Sequence, residues 1–268
     1  MQRHLRALPL VLLPLISLSG CLVAPGTRPG VHIDSFLMTK YIHRGQVEVN
    51  DPVVQGNANI DLPTKDGGTL SLGALGNVNL RNKNGGGWFP DGKAGKFTEV
   101  DLSASYSRQV AGIDVRGGVE TYVLPDGPEF PFGVRGTTTE VFGAIGKDLA
   151  GFYPQFTMHY DWDEVDGYYL ESSLSRDFKL FEKLTAEASV GLGYSDKDHS
   201  DWTYGIAESG LADGRGSVTL FYDYDESTTF QLGVAYSTII DKDLRDWFDI
   251  IDIEPDNFWI TFGVGWSF

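Results

Sequence analysis

Hydrophobic positions recur in this chain at every second residue. In residues 257–268, Phe258, Ile260, Phe262, Val264, Trp266 and Phe268 share one face, while Asn257, Trp259, Thr261, Gly263, Gly265 and Ser267 share the other. Period two is the signature of a β-strand, and here one face is wholly apolar while the other is mostly small and polar. The same alternation sets Val54, Ala58, Ile60 and Leu62 against Gln55, Asn57, Asn59 and Asp61. It sets Val100, Leu102, Ala104 and Tyr106 against Glu99, Asp101, Ser103 and Ser105, and Leu184, Ala186, Ala188 and Val190 against Thr185, Glu187 and Ser189. Followed along the chain, the pattern predicts twelve strands, at 34–44, 53–62, 69–80, 97–107, 112–123, 137–146, 152–162, 167–176, 184–195, 216–225, 228–239 and 257–268. Long helical periodicity is missing.

The connections alternate in length. Short turns fall at 63–68, 108–111, 147–151, 177–183 and 226–227, and longer links at 45–52, 81–96, 124–136, 163–166, 196–215 and 240–256. Membrane barrels of the bacterial outer membrane combine an even strand number, short periplasmic turns, long external loops, an apolar exterior and a polar interior. The expected fold is therefore all-β: a single antiparallel transmembrane β-barrel of about twelve strands, a closed up-and-down meander over 34–268. Both termini fall on the short-turn, periplasmic side. An extra strand at 202–213 would put Phe268 on the wrong side, so that segment is read as external loop. The aromatic ending, Trp266 and Phe268, resembles the membrane-insertion signal of bacterial outer-membrane barrels.

The first twenty residues read as a secretory signal, with Arg3 and Arg6 ahead of an apolar run at 7–18 that is too short to span a bilayer. The sequence Leu18-Ser19-Gly20-Cys21 resembles a bacterial lipobox, which would make Cys21 the lipidated first residue and 21–33 a periplasmic tether. Leu22, not Asp, follows, which points to the outer membrane. Cys21 is the only cysteine, so no internal disulfide can form. The chain carries 37 acidic against 21 basic residues, a formal charge of −16, and loses Arg3 and Arg6 with the signal. Such acidity excludes nucleic acid as a partner, since phosphates demand a basic footprint. The partners implied are outer-membrane lipids, lipopolysaccharide and a small solute.

With the strands placed, Tyr41-Ile42-His43-Arg44-Gly45 at the end of the first and Asp51-Pro52-Val53-Val54-Gln55-Gly56 opening the second resemble the TorF-type family of porin-like barrels. Its members show a similar Y-x-[FH]-R-G, a short polar loop, then P-x-x-Q-G. The resemblance implies an outer-membrane barrel and a porin-like activity.

The inner face is acid-rich. Lumen-lining acids are expected at Asp61, Glu99, Asp101, Asp114, Glu120, Glu140, Asp161, Glu171, Glu187 and Asp223, with bases at Lys40, Arg44, Arg116 and His159. Rings of carboxylates favour cations in a passage; the same groups could equally fill a closed barrel with ion pairs. No cofactor or metal motif stands out. The carboxylates of 241–256 lack EF-hand spacing, and the segment reads as an acidic external loop. His199, Ser200 and Asp201 are consecutive, so they cannot surround one oxygen as a catalytic triad, and 196–201 reads as a solvated loop. Trp88-Phe89-Pro90 could fold inward or sit among headgroups. The function expected is passive diffusion of small solutes, not an enzyme; the alternatives are a non-conducting structural or surface-interaction barrel and a membrane-embedded lipid hydrolase.

Overall fold

The computed structural model describes Ala24 and residues 27–83, 86–125, 129–130, 133–134 and 136–268. The expected signal peptide and the lipidation site Cys21 lie outside the described residues. The elements run β1 (Gly30–Met38), β2 (Tyr41–His43), β3 (Gln46–Val49), β4 (Val53–Pro63), β5 (Thr69–Asn79), β6 (Phe97–Val110), β7 (Ile113–Val123), β8 (Glu129–Phe130) and β9 (Gly133–Val134). They continue with β10 (Thr138–Gly146), β11 (Tyr153–Asp161), β12 (Gly167–Phe181) and β13 (Leu184–Ser195). After helix α1 (Lys197–Tyr204) come β14 (Gly210–Asp223) and β15 (Thr228–Ile239), then α2 (Lys242–Ile250) and β16 (Asp256–Ser267).

Twelve of these strands form one closed antiparallel barrel, each paired with its chain neighbour, and β1 closes the ring between β16 and β4. At the seam Ile33 faces Trp266, and Phe268 and Val31 exchange backbone hydrogen bonds of 2.9 and 3.2 Å. Short turns and both described ends lie at one rim, and the longer connections lie at the other.

Alternation sorts the residues as the sequence implies. Outward residues are apolar and exposed, with Leu232 at 49%, Phe262 at 51% and Val190 at 59%. Inward residues are polar and covered: Asn77, Ser195, Asp213 and Glu140 are all buried. This inversion of the usual inside–outside rule is what a lipid-facing barrel wall requires.

Three expectations are corrected. The first wall strand is Gly30–Met38, not 34–44; the chain leaves the wall after Met38, and Tyr41–His43 pairs instead with Gln46–Val49 in a hairpin of its own. The tenth wall strand begins at Gly210, not 216, because a register shift opposite Gly193 and Tyr194 places both Ala212 and Asp213 in buried positions and breaks the alternation. Residues 196–215 and 240–256 are not simply solvated loops. They carry α1, N-capped by Asp196 on the His199 amide, and α2, N-capped by Asp241 on the Asp243 and Leu244 amides.

The apolar core lies between these loops, inside the long-loop rim. Val47, Tyr204, Ala212, Ile239, Leu244, Phe248 and Ile253 pack together, and Trp247 joins them by donating its indole N–H to the Tyr204 carbonyl at 2.8 Å. Trp88 and Phe89 fold inward: their amides donate to the Val47 and Glu48 carbonyls, and Phe89 packs on Val49 and Val53. Each fully buried side chain of this kind stabilises the cap by about 1.5–3 kcal/mol.

Candidate functional site: a lumen open at one end and capped at the other

The hairpin β2–β3 hangs into the barrel, and its tip is Arg44-Gly45. Both residues take positive φ, 48° and 80°, as the tight two-residue turn of a hairpin demands. Gly45 is needed twice over. Besides its φ, a Cβ there would lie 2.6 Å from the Asp213 Cβ and 3.0 Å from the Ile239 Cδ1. The tip therefore touches the inner wall at β14 and β15.

Arg44 is not a wall residue, as the sequence implied, but a side chain delivered to the lumen by this turn. Its Nη2 donates to both carboxylate oxygens of Glu140, at 3.0 and 2.9 Å, and Nη1 donates to His199 Nε2 at 2.9 Å. Its guanidinium lies 4.8 Å from the Tyr169 ring centroid, and its carbonyl accepts the Tyr204 hydroxyl at 2.7 Å. Glu140 also meets the Tyr122 hydroxyl at 3.0 Å and His159 Nδ1 at 2.6 Å. A buried charge pair is tolerable only when its remaining lone pairs and protons are satisfied, and here they are. The Glu140 charge, working against the burial, raises the Arg44 guanidinium above its already high ordinary value.

The histidines of the cap are the reverse case. Burial, reinforced by the neighbouring Arg44 charge, pushes His43 down to about 3 and holds His199 well below the ordinary imidazole range. His199 is thus neutral. Because a guanidinium has no acceptor, Nε2 must accept from Arg44, so Nδ1 carries the proton and donates to Ser195 Oγ, 2.7 Å away. This orientation is the wrong way round for a general base. Ser195 is fully buried, accepts from Ser200 Oγ at 2.9 Å and donates to the Asp196 carbonyl. The Ser–His contact therefore fixes the cap and activates no nucleophile.

Beside it, Tyr169 donates to Asp213 Oδ1 at 2.6 Å, and Arg215 pairs with Glu171 at 2.7 Å. Gly193 makes room for the first contact, since a Cβ there would lie 2.0 Å from the Tyr169 hydroxyl and 2.2 Å from Asp213 Oδ1.

The expected lining residues fall into three groups. Glu99, Asp101, Glu140 and Asp161 are buried beneath the cap, and Glu99, Glu140 and Asp161 line a residual space of about 70 Å³ with His43, Arg44 and Trp202. Asp114, Arg116, Glu120, His159 and Glu171 line a vestibule of about 600 Å³ that opens at the short-turn rim. The others stand at the edges. Asp61 accepts from Ser71 near the short-turn rim, and Glu187 is half-buried on the inner face opposite Thr219. Asp223 is exposed at the rim, accepting from Thr229 at 3.0 Å, and Lys40 is tied to Glu254 at 2.7 Å in the outer loops. Tyr122, Tyr169, Ser195, His199, Asp213 and Arg215 belong to the site and were not among the expected residues. Tyr122 and Tyr169 share inner-face parity with Glu120 and Glu171, and Ser195 with Glu187, which was a usable signal; Asp213 and Arg215 share the parity of Thr219 but precede the expected start of that strand, and His199 depends on α1.

No model of a known protein family matches the chain, and no curated protein matches it. Solved structures do. The NanC porin superposes with a TM-score of 0.52 at 10% identity, over 88% of this chain and 98% of that one. The KdgM porin gives 0.47 at 11% identity over 89% and 99%, and the outer membrane phospholipase A from Escherichia coli gives 0.45 at 12% over 91% and 93%. At such identities the likeness is one of fold, and it rests on the first of these.

Proposed function

We propose that this protein is a porin-like barrel of the outer membrane whose polar lumen admits small solutes and is gated by the β2–β3 hairpin. The observation that carries the reading is the unequal filling of the lumen. From the short-turn rim to the level of Glu120, His159 and Glu171 it is an aqueous vestibule of about 600 Å³. Beyond that level the β2–β3 hairpin, pinned through Arg44 to Glu140 and packed on α1 and α2, closes it. A barrel built only as scaffold gains nothing from a cavity this size, whereas a passage needs one. The carboxylates facing the vestibule, Asp114, Glu120 and Glu171, outnumber its guanidinium groups, Arg108 and Arg116, which favours cations over anions.

The apolar exterior supports a bilayer location, with the short-turn rim toward the periplasm, and the motif behind the TorF-type resemblance, Tyr41-Ile42-His43-Arg44-Gly45, is the gate itself. Swelling of liposomes carrying the reconstituted protein tests the proposal. Arg44→Ala is expected to admit small sugars and cations several-fold faster than wild type. Equal, background rates for both would favour the non-conducting barrel, which the packed loop core around Phe248 also accommodates.

A further inference from the structure

Arg176 lies on the outer wall, opposite Ala188 and on the same face of β12 as Leu174 and Phe178, which are 39% and 44% exposed. Its guanidinium Cζ is 4.4 Å from the Phe152 ring centroid and 5.2 Å from that of Phe178. Phe152 is itself an exposed outward ring. The neighbouring Asp177 points the other way, across from Glu187 on the inner face. Among the described residues, no carboxylate, carbonyl or hydroxyl is bonded to Arg176.

Three facts narrow what meets it. A guanidinium keeps its charge at every accessible pH, and its five N–H donors lie in its plane. Aromatic contacts engage the faces of that plane and leave its edge free. On a lipid-facing wall no protein acceptor among the described residues receives those donors, and the anionic acceptors at hand are headgroup phosphates, which guanidinium binds in bidentate fashion. The level along the barrel agrees. Arg176 is one residue past Ser175, the partner of Tyr153 at the start of β11, and so belongs to the short-turn end. Phe152, Phe178, Tyr224, Phe230 and Phe268 are all exposed at this end, the composition of an interfacial aromatic girdle.

We propose that Arg176, held between Phe152 and Phe178, is a binding site for the phosphate of an anionic phospholipid of the leaflet at the short-turn rim. The site rests on the membrane placement argued above and adds a specific lipid contact to it. Native mass spectrometry of the folded barrel in neutral detergent, titrated with phosphatidylglycerol, tests it. Wild type is expected to retain the lipid, Arg176→Lys to retain it in part, and Arg176→Gln to bind it about fivefold more weakly, the order for one basic residue at an anionic leaflet. Lys83→Gln, at the other rim, is expected to bind as wild type. Dioleoylglycerol, which lacks the phosphate, and glycerophosphoglycerol, which lacks the chains, are expected not to be retained.

Equal retention of phosphatidylglycerol by wild type and Arg176→Gln would overturn the site. Retention of glycerophosphoglycerol as strong as that of the lipid would show a free-anion site and overturn the lipid assignment. Heat-modifiable mobility and protease protection in liposomes, measured on the same samples, report folding and insertion separately. A folded barrel that does not insert defeats the membrane placement, whereas an inserted Arg176→Gln barrel with undiminished lipid defeats the clamp alone.

Discussion

Arg44 and Glu140 stand 96 residues apart in the chain, and a single guanidinium nitrogen of the first donates to both oxygens of the second, at 3.0 and 2.9 Å. Both side chains are almost wholly covered, at 10% and 2% exposure. Removing one partner of such a pair leaves an uncompensated buried charge, which costs about 3–5 kcal/mol. Arg44→Ala is therefore expected to destabilise the capped state by roughly that amount. Hydrogen exchange across residues 39–52 measures the effect, and protection in the variant equal to wild type would contradict it.

Gly45→Ala isolates the turn from the charge. Its left-handed φ of 80° costs an L-residue about 1–2 kcal/mol, and the new methyl group would meet Asp213 at 2.6 Å. Faster cleavage of the hairpin by added protease is the expected outcome, with the barrel's own heat-modifiable mobility unchanged.

Acid should loosen the cap. His43, at about 3 when buried, and His199, also depressed, return to about 6.5 when the hairpin withdraws into water. The withdrawn state then binds more protons between those values, so closure is fully stable above about pH 6.5 and weakens as pH falls toward 3. Burial sets most of the effect, and Arg44, Glu140, His159 and Arg215, with His43 facing His199, are the charged or titratable groups that face these rings and modify it. Protection factors in the hairpin, with exchange normalised to the intrinsic rate at each pH, are expected to fall from pH 7.5 to 4.5, and less steeply in His199→Gln.

The wall itself is tested by a pair of neighbours on β15. Leu232 points outward and Gln231 inward. Leu232→Arg is expected to cost about 2–4 kcal/mol of stability in the bilayer, the value for a cation at mid-depth. Gln231→Arg, in the polar interior, is expected to cost much less. Denaturant-dependent refolding into vesicles distinguishes the two, and equal losses would contradict the assignment of faces.

Much of the barrel was legible because a strand between lipid and lumen has no freedom in its pattern: Leu232 and Val234 must face one way, and Gln231 and Gly233 the other. The alternation misled where the backbone departed from it. Tyr41 and His43 continue the period of β1 yet leave the wall, because Arg44 and Gly45 turn the chain inward. Ala212 is the extra residue opposite the Gly193–Tyr194 step, so the alternation read back from Val218 holds through Arg215 and Asp213 and fails only before them, beyond the expected start of that strand at 216. The cap was hidden for a different reason. Leu244 and Phe248, four apart, are a helical pair set among carboxylates, and only the packing of Val47, Tyr204 and Ile239 from distant segments buries them. The Arg44 position was seen, but its partners His199 and Glu140 come from a loop and a wall strand that no local pattern joins.

Single-channel conductance in planar bilayers tests the gate most directly. Wild type at neutral pH is expected to dwell in a closed state, and Arg44→Ala to show long cation-selective openings several-fold more often. Two heat-modifiable, correctly inserted barrels that both stay at background, or a wild type already open and unchanged by Arg44→Ala, would contradict it.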